Sequence, residues 1–299
     1  MKFLLIAILG HMLGDFVFQT NRIAEIKNCS KSEYEDYKAK YNKVKFFQPR
    51  EKFLWEKIIL IFGHVLTHAL LTYSIYCLSK NILNNSFEIN IRYFILGMVI
   101  SHFVVDFFKN KLEEPLNRAT SKGKVILFVG DQLIHLIIIY TLIIFCSPKT
   151  TPYLNLFKLS FWKALPNMSF ENRMYMFFIL IILNTYAASF FIAIVLKLIK
   201  NDDKNHIKDQ CVGDVIISST PKTAPIPNVG ALIGILERIL ISLFVWKGIS
   251  EAITIVIAIK ALARFKEMDD KNFAEFYLIG SLLSLMFAIT TGLLLRYLF

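Results

Sequence analysis

Eight side chains able to bind a metal recur as four pairs, each with its members four residues apart: His11/Asp15, His64/His68, His102/Asp106 and Asp131/His135. On a helix such residues share one face, with Cβ atoms roughly 5–6 Å apart. Imidazole and carboxylate are the donor set of zinc, iron and manganese sites. Each pair lies in a different hydrophobic stretch of transmembrane length, and together the pairs use five of the six histidines. Ionisable groups inside a bilayer are costly, so they turn toward an interior and take partners there. The pattern points to a metal site, binuclear in its fullest form, in the core of a membrane helix bundle.

The expected chemistry follows from the donors. Three aspartates bring −3, two divalent ions +4, and one bridging hydroxide makes the cluster neutral, which a low-dielectric interior favours. Zinc is the first choice of ion, with iron or manganese as alternatives. Such an ion lowers the pKa of its water to roughly 7, so that hydroxide becomes available as a nucleophile. Asp15, Asp106 and Asp131 are the expected catalytic carboxylates. Gln19, Thr67 and Gln132 stand close enough in sequence to orient the ligands. Two plainer readings compete. A buried histidine often serves only as an interhelical hydrogen-bond donor, and a proton relay also uses intramembrane Asp and His. Four such pairs in four consecutive stretches favour the metal.

These residues need helices to position them. The chain has 299 residues, 55% of them hydrophobic, and a mean hydropathy of +0.51. Eight apolar spans are expected, at 2–20, 53–79, 92–112, 125–146, 173–199, 229–246, 249–264 and 274–297. Each can cover the roughly 30 Å hydrocarbon layer, the seventh only just. The fold class is therefore all-α, a polytopic bundle. The first span resembles a signal peptide in its Met-Lys start, but His11 and Asp15 interrupt it and no small-residue cleavage site follows. It reads as a retained helix.

The net charge of +11 does not signal nucleic-acid binding, because the basic residues sit at span boundaries. Of the Lys and Arg residues, 23 fall in 21–52, 109–124, 197–222 and 260–271, and nine lie on the other side. By the positive-inside rule these segments are cytoplasmic and both termini are outside. All four pairs then lie at the midplane or in the cytoplasmic half of the plasma (inner) membrane. Cys29, Cys77, Cys146 and Cys211 show no metal or disulfide spacing and receive no role.

The second half carries other signals. Gly230 and Gly234 form a GxxxG pair, which lets two helices approach closely and is the expected surface for self-association. Glu237 and Arg238 lie mid-span on different faces, so each needs a partner on another helix. Lys260 and Arg264 share one face near a helix end. Like charges there snorkel to headgroups or hold an anion between them. With Lys109 and Arg238 they are the expected binders of a substrate phosphate. Residues 153–166, rich in Leu, Phe and Trp, read as an interfacial helix. The expected domains are 1–150, a four-helix metal-binding unit with a cytosolic insertion at 21–52, and 151–299, the interfacial segment plus four helices.

The runs His11-Met-Leu-Gly-Asp15-Phe-Val-Phe-Gln19, Ser101-His102 with Asp106 and Lys109, and Asp131-Gln132 with His135 resemble a family of bacterial membrane proteins of unknown function. The likeness continues in Gly230-Ala-Leu-Ile-Gly234-Ile-Leu-Glu237-Arg238 and in Ala261 to Glu267. More distantly the chain is similar to LexA-regulated membrane-bound metal-dependent hydrolases. Soluble zinc phospholipase C also uses His-xxx-Asp pairs on helices. Open metal positions, a depth near the interface and the nearby cations point to a membrane metal-dependent hydrolase, acting on membrane lipids or a phosphoester at the cytoplasmic leaflet. The alternatives are a metal-ion or proton transporter and a non-catalytic sensor with a structural metal.

Overall fold

The computed structural model describes residues 1–19, 50–82, 87–119, 122–147, 168–208 and 229–299. The interfacial segment 153–166 and most of the insertion 21–52 lie outside them. The described residues are helical, without a strand. The helices are α1 (Lys2–Met12), α2 (Arg50–Asn81), α3 (Ile91–Ala119), α4 (Lys122–Cys146), α5 (Phe170–Ile182), α6 (Ala188–Lys208), α7 (Val229–Lys247), α8 (Ser250–Ala263) and α9 (Lys271–Leu298). A π-helical turn, Leu13–Val17, continues α1, and another, Leu183–Ala187, joins α5 to α6 without a break.

All eight apolar stretches are thus helical. Five regions are long and apolar enough to cross a membrane: Lys57–Asn81, Ile91–Phe108, Val125–Cys146, Phe170–Leu196 and Lys271–Leu298. The other three are weaker for visible reasons. The first helix with its π-turn ends at Val17, α7 carries Glu237, Arg238 and Lys247, and α8 has only 14 residues. At 1.5 Å per residue α8 is roughly 21 Å long.

Side-chain burial is inverted relative to a water-soluble protein. On α2, Phe62, Leu66 and Leu70 are exposed while His64, His68 and Thr72 are buried. On α3, Leu96, Ile100 and Val104 face outward and His102 and Asp106 inward. On α4, Ile126, Leu133 and Ile137 are exposed and Asp131 and His135 buried. Water would penalise such apolar faces, whereas a lipid solvent favours them and drives the ionisable groups inside.

Helices α1–α4 belong to one compact unit, Met1–Ala164 with Phe170–Met176; Leu165–Ser169 with Phe177–Phe299 form a second. In the first unit α1 is buried on nearly every side, from Phe3 to Met12, as its all-round hydrophobicity requires. It packs on α2 and α4, and α3 packs on both of those helices. Gly10 makes the approach of α1 to α2 possible, since a Cβ there would overlap Thr72. In the second unit α7 and α9 form the main helix pair. Gly292 lets them close, because a side chain there would meet Val245 and the Ser242 carbonyl oxygen.

Candidate metal centre

Four helices deliver one polar cluster. His11 comes from the end of α1 and Asp15 from the π-turn that follows, where Phe18 N donates to Leu13 O at 2.9 Å. Single π-turns inside helices often mark functional sites, and this one widens the backbone at a proposed ligand. His64 and His68 come from α2, His102 and Asp106 from α3, and Asp131 and His135 from α4. All eight are buried, from Asp106 at 0% exposure to Asp131 at 8%. The i, i+4 spacing aligns each pair on its helix, and packing turns the four faces toward one another.

Two carboxylates organise the cluster. Asp15 Oδ1 lies 3.1 Å from His64 Nε2 and 3.2 Å from His68 Nε2, and the two nitrogens are 3.2 Å apart. Asp15 Oδ2 accepts from Gln132 Nε2 at 2.9 Å and lies 3.5 Å from His11 Nε2. Asp106 sits at the other side of the cluster. Its Oδ2 is 3.6 Å from His102 Nε2 and 3.9 Å from His64 Nε2, and its Oδ1 is 3.7 Å from His135 Nε2. Asp131 Oδ1 is 3.6 Å from His135 Nε2. The rings are packed tightly, with His102 and His135 stacked at 4.1 Å between centroids.

This geometry fits a metal on two counts. The triangle of Asp15 Oδ1, His64 Nε2 and His68 Nε2 has edges of 3.1–3.2 Å. A tetrahedral ion with bonds of about 2.0–2.1 Å needs ligand–ligand edges near 3.3 Å. In addition, the Nε2 atoms of His102 and His135 are buried and make no hydrogen bond among the described residues. A buried donor or acceptor left so costs roughly 1–3 kcal/mol, which an ion at the centre would remove. Three sets of donor atoms lie within 4.8 Å of one another: His11/Asp15/His68/His102, His64/His102/Asp106 and Asp106/Asp131/His135. The cluster can therefore hold a metal ion.

The supporting residues divide. Gln132 reaches the site and fixes Asp15. Thr67 does not, because its hydroxyl donates back to Gly63 O at 2.9 Å within α2. Gln19 is half-buried beyond the π-turn. A residue that sequence reasoning passed over is Gly14. A Cβ at this position would overlap the His68 ring. Its place between His11 and Asp15 was the available signal.

The four expected phosphate-binding cations are not gathered at this cluster by any described contact. Lys109 is in α3, with its side chain outside the described residues. Arg238, Lys260 and Arg264 belong to the second unit, where their charged groups have protein partners. Lys260 Nζ pairs with Glu237, and Arg264 Nη1 meets both Glu267 oxygens at 2.7 and 2.9 Å. Buried Arg238 donates from Nε to Asn184 O at 2.5 Å, from Nη2 to Thr185 O at 2.9 Å and to Ser189 Oγ. The π-turn at Leu183–Ala187 supplies those two carbonyl oxygens. Among the described residues Gly230 and Gly234 make no close helix contact: nothing lies within 4 Å of a Cβ at Gly230, and Arg238 Nη1 is what a Cβ at Gly234 would meet.

Comparison with known proteins agrees with this picture at a coarse level. Residues 45–165 match the model of a family described as a protein of unknown function (DUF3307). The match spans α2–α4 and contains six of the eight clustered residues, leaving out His11 and Asp15. No curated protein matches the chain, and no solved structure does.

Proposed function

We propose that the first unit holds two divalent ions, zinc in the first instance, and hydrolyses a lipid or phosphoester at the cytoplasmic face of a bacterial inner membrane. The observation that carries this reading is the division of the donors. The sets His11/Asp15/His68/His102 and Asp106/Asp131/His135 have no residue in common, as a two-ion site would need. Paired ions of this kind supply Lewis acidity, a water of lowered pKa and a clamp for a developing oxyanion. The chain supplies the rest. Gln132 orients Asp15.

Depth supports an interfacial substrate. Asp106 stands two residues before the end of Ile91–Phe108, Asp131 six after the start of Val125–Cys146, and His64 seven after the start of Lys57–Asn81. At 1.5 Å per residue these are depths of about 3, 9 and 10 Å from one end of the apolar layer. The Lys/Arg excess of the adjoining segments makes that end cytoplasmic.

Continuity of the helices favours a fixed site over a transport site. Transporters commonly bind ions where helices unwind. Here α2, α3 and α4 run unbroken through their ligands, and α1 passes into a hydrogen-bonded π-turn. The test is elemental analysis of protein purified in detergent, followed by incubation of the metal-loaded protein with a lipid and phosphoester panel read by mass spectrometry. Two ions per chain and turnover that disappears in Asp106→Ala are expected. Metal content near zero overturns the site. Bound metal without turnover, together with ligand-dependent metal or proton flux into liposomes, replaces the hydrolase with a transporter.

A further inference from the structure

We infer that the second unit contains a binding site for an anionic phospholipid, held by its phosphate at Arg238 and Lys260. This site is independent of the metal reading. A cavity of about 500 Å³ opens between α6, α7, α8 and α9, within the usual size range of ligand pockets. Leu196, Ile233 and Phe276 give it apolar walls, and Arg238, Lys260 and Tyr277 a polar floor.

The charge balance asks for an anion. Lys260 is paired with Glu237, and Arg264 at the rim with Glu267. Arg238 is only 3% exposed, yet its recorded acceptors are all neutral: the Asn184 and Thr185 carbonyls and the Ser189 and Ser284 hydroxyls. Among the described residues no carboxylate lies within 4.0 Å of its guanidinium. Glu237, which acts on Arg238 electrostatically and lines the same cavity, is paired with Lys260, so of these three charges one positive charge stays unmatched, and an anion in the cavity would match it.

The Nη1 edge is the one left for it. Nη1 makes a single long contact, 3.5 Å to Ser284 Oγ. It faces Gly234, where an added Cβ would stand 3.3 Å away, and the space beside Gly230 is open. The GxxxG pair therefore forms a notch in the cavity wall that keeps this edge reachable. A phosphate suits guanidinium recognition. An anion that carries hydrocarbon would lay its chains against Leu196, Ile233 and Phe276, which a free anion would not use. Gly230, Arg264 and Phe273 place the cavity at the start of α7, the end of α8 and the start of α9, and among the described residues a headgroup would enter there.

The test uses the full chain, delipidated in detergent, with native mass spectrometry after adding phosphatidylglycerol, phosphatidylcholine or inorganic phosphate. Retention of phosphatidylglycerol roughly tenfold above phosphatidylcholine is expected. Gly230→Leu and Gly234→Leu should reduce it about tenfold, with helicity and metal content unchanged. If a leucine variant misfolds, Lys260→Gln serves in its place and should erase the preference for the anionic lipid. Equal retention of the two lipids overturns the inference. So does full phosphatidylglycerol retention by the folded variants. Binding of inorganic phosphate without lipid retention identifies a small-anion site and also overturns it. Metal analysis of the same samples separates these outcomes from the fate of the hydrolase reading.

Discussion

Gly14 stands against the imidazole of His68 with no room for even one more carbon, so a backbone position in the π-turn after α1 fixes a ring of the His/Asp cluster on α2. Gly14→Ala should push His68 out of its triangle with Asp15 and His64. We expect metal content to fall from two ions toward one, with helicity retained. Gly63→Ala and Gly130→Ala are the controls, since nothing lies within 4 Å of a Cβ at either position. They should leave metal content unchanged and alter stability by at most about 1 kcal/mol. Elemental analysis and circular dichroism of the three variants provide the check.

Gln132, outside the eight, donates from Nε2 to Asp15 Oδ2 at 2.9 Å. Gln132→Leu removes that donor and frees the carboxylate to rotate. Loss of an orienting partner of this type weakens metal binding by about 10–100-fold. Competition titration against a chelator of known affinity measures it, and an unchanged affinity would show that Asp15 is held adequately by the histidines alone.

The ligands converge from four helices, so metal should stabilise the fold as well as serve chemistry. An ion present at 100 times its dissociation constant contributes about 2.7 kcal/mol. Removal by a chelator should lower the unfolding midpoint in detergent, and re-addition of zinc should restore it. Asp106→Asn should abolish most of this metal-dependent gain, because a fully buried carboxylate facing three imidazoles is replaced by a neutral amide. Asp106→Ala should lose turnover as well, with the loss appearing in kcat.

Arg238 and Asn184 bind each other in both directions. Arg238 Nε donates to Asn184 O at 2.5 Å, and Asn184 Nδ2 donates to Arg238 O at 3.1 Å. Arg238→Met takes the Nε donor from Asn184 O, while Thr185 O keeps Ser189 Oγ at 2.7 Å, and should destabilise the chain by about 1–3 kcal/mol. Asn184→Leu should cost less, and the double variant should fall short of the sum, since both changes break one network. Denaturant unfolding of the single and double variants tests this.

From the charge distribution we propose that residues 30–45 lie in the cytoplasm. A single Cys introduced there should resist an impermeant thiol reagent applied to intact cells and react after permeabilisation. Labelling from outside would reverse the orientation and move the metal cluster to the opposite face.

Helix spacing and apolar length are local properties, and what depends on them was legible in the sequence. A repeat of four residues puts His and Asp on one helix face whatever the helix packs against, and a long apolar run is helical in lipid because its backbone must bond to itself. Hence the apolar stretches and the four inward-facing pairs could be read from residue order alone. Rotation and register between helices are set by packing, and no local signal encodes them. Only the tertiary structure decided that Asp15 lies closer to His64 and His68 on α2 than to His11 on its own helix. It likewise decided that Glu237 meets Lys260, that Arg238 draws its partners from a π-turn, and that Gly230 and Gly234 line a cavity. The same local pattern is compatible with many arrangements of neighbours. Close contacts at Gly10, Gly14 and Gly292 select this one, because larger residues there would force the helices apart.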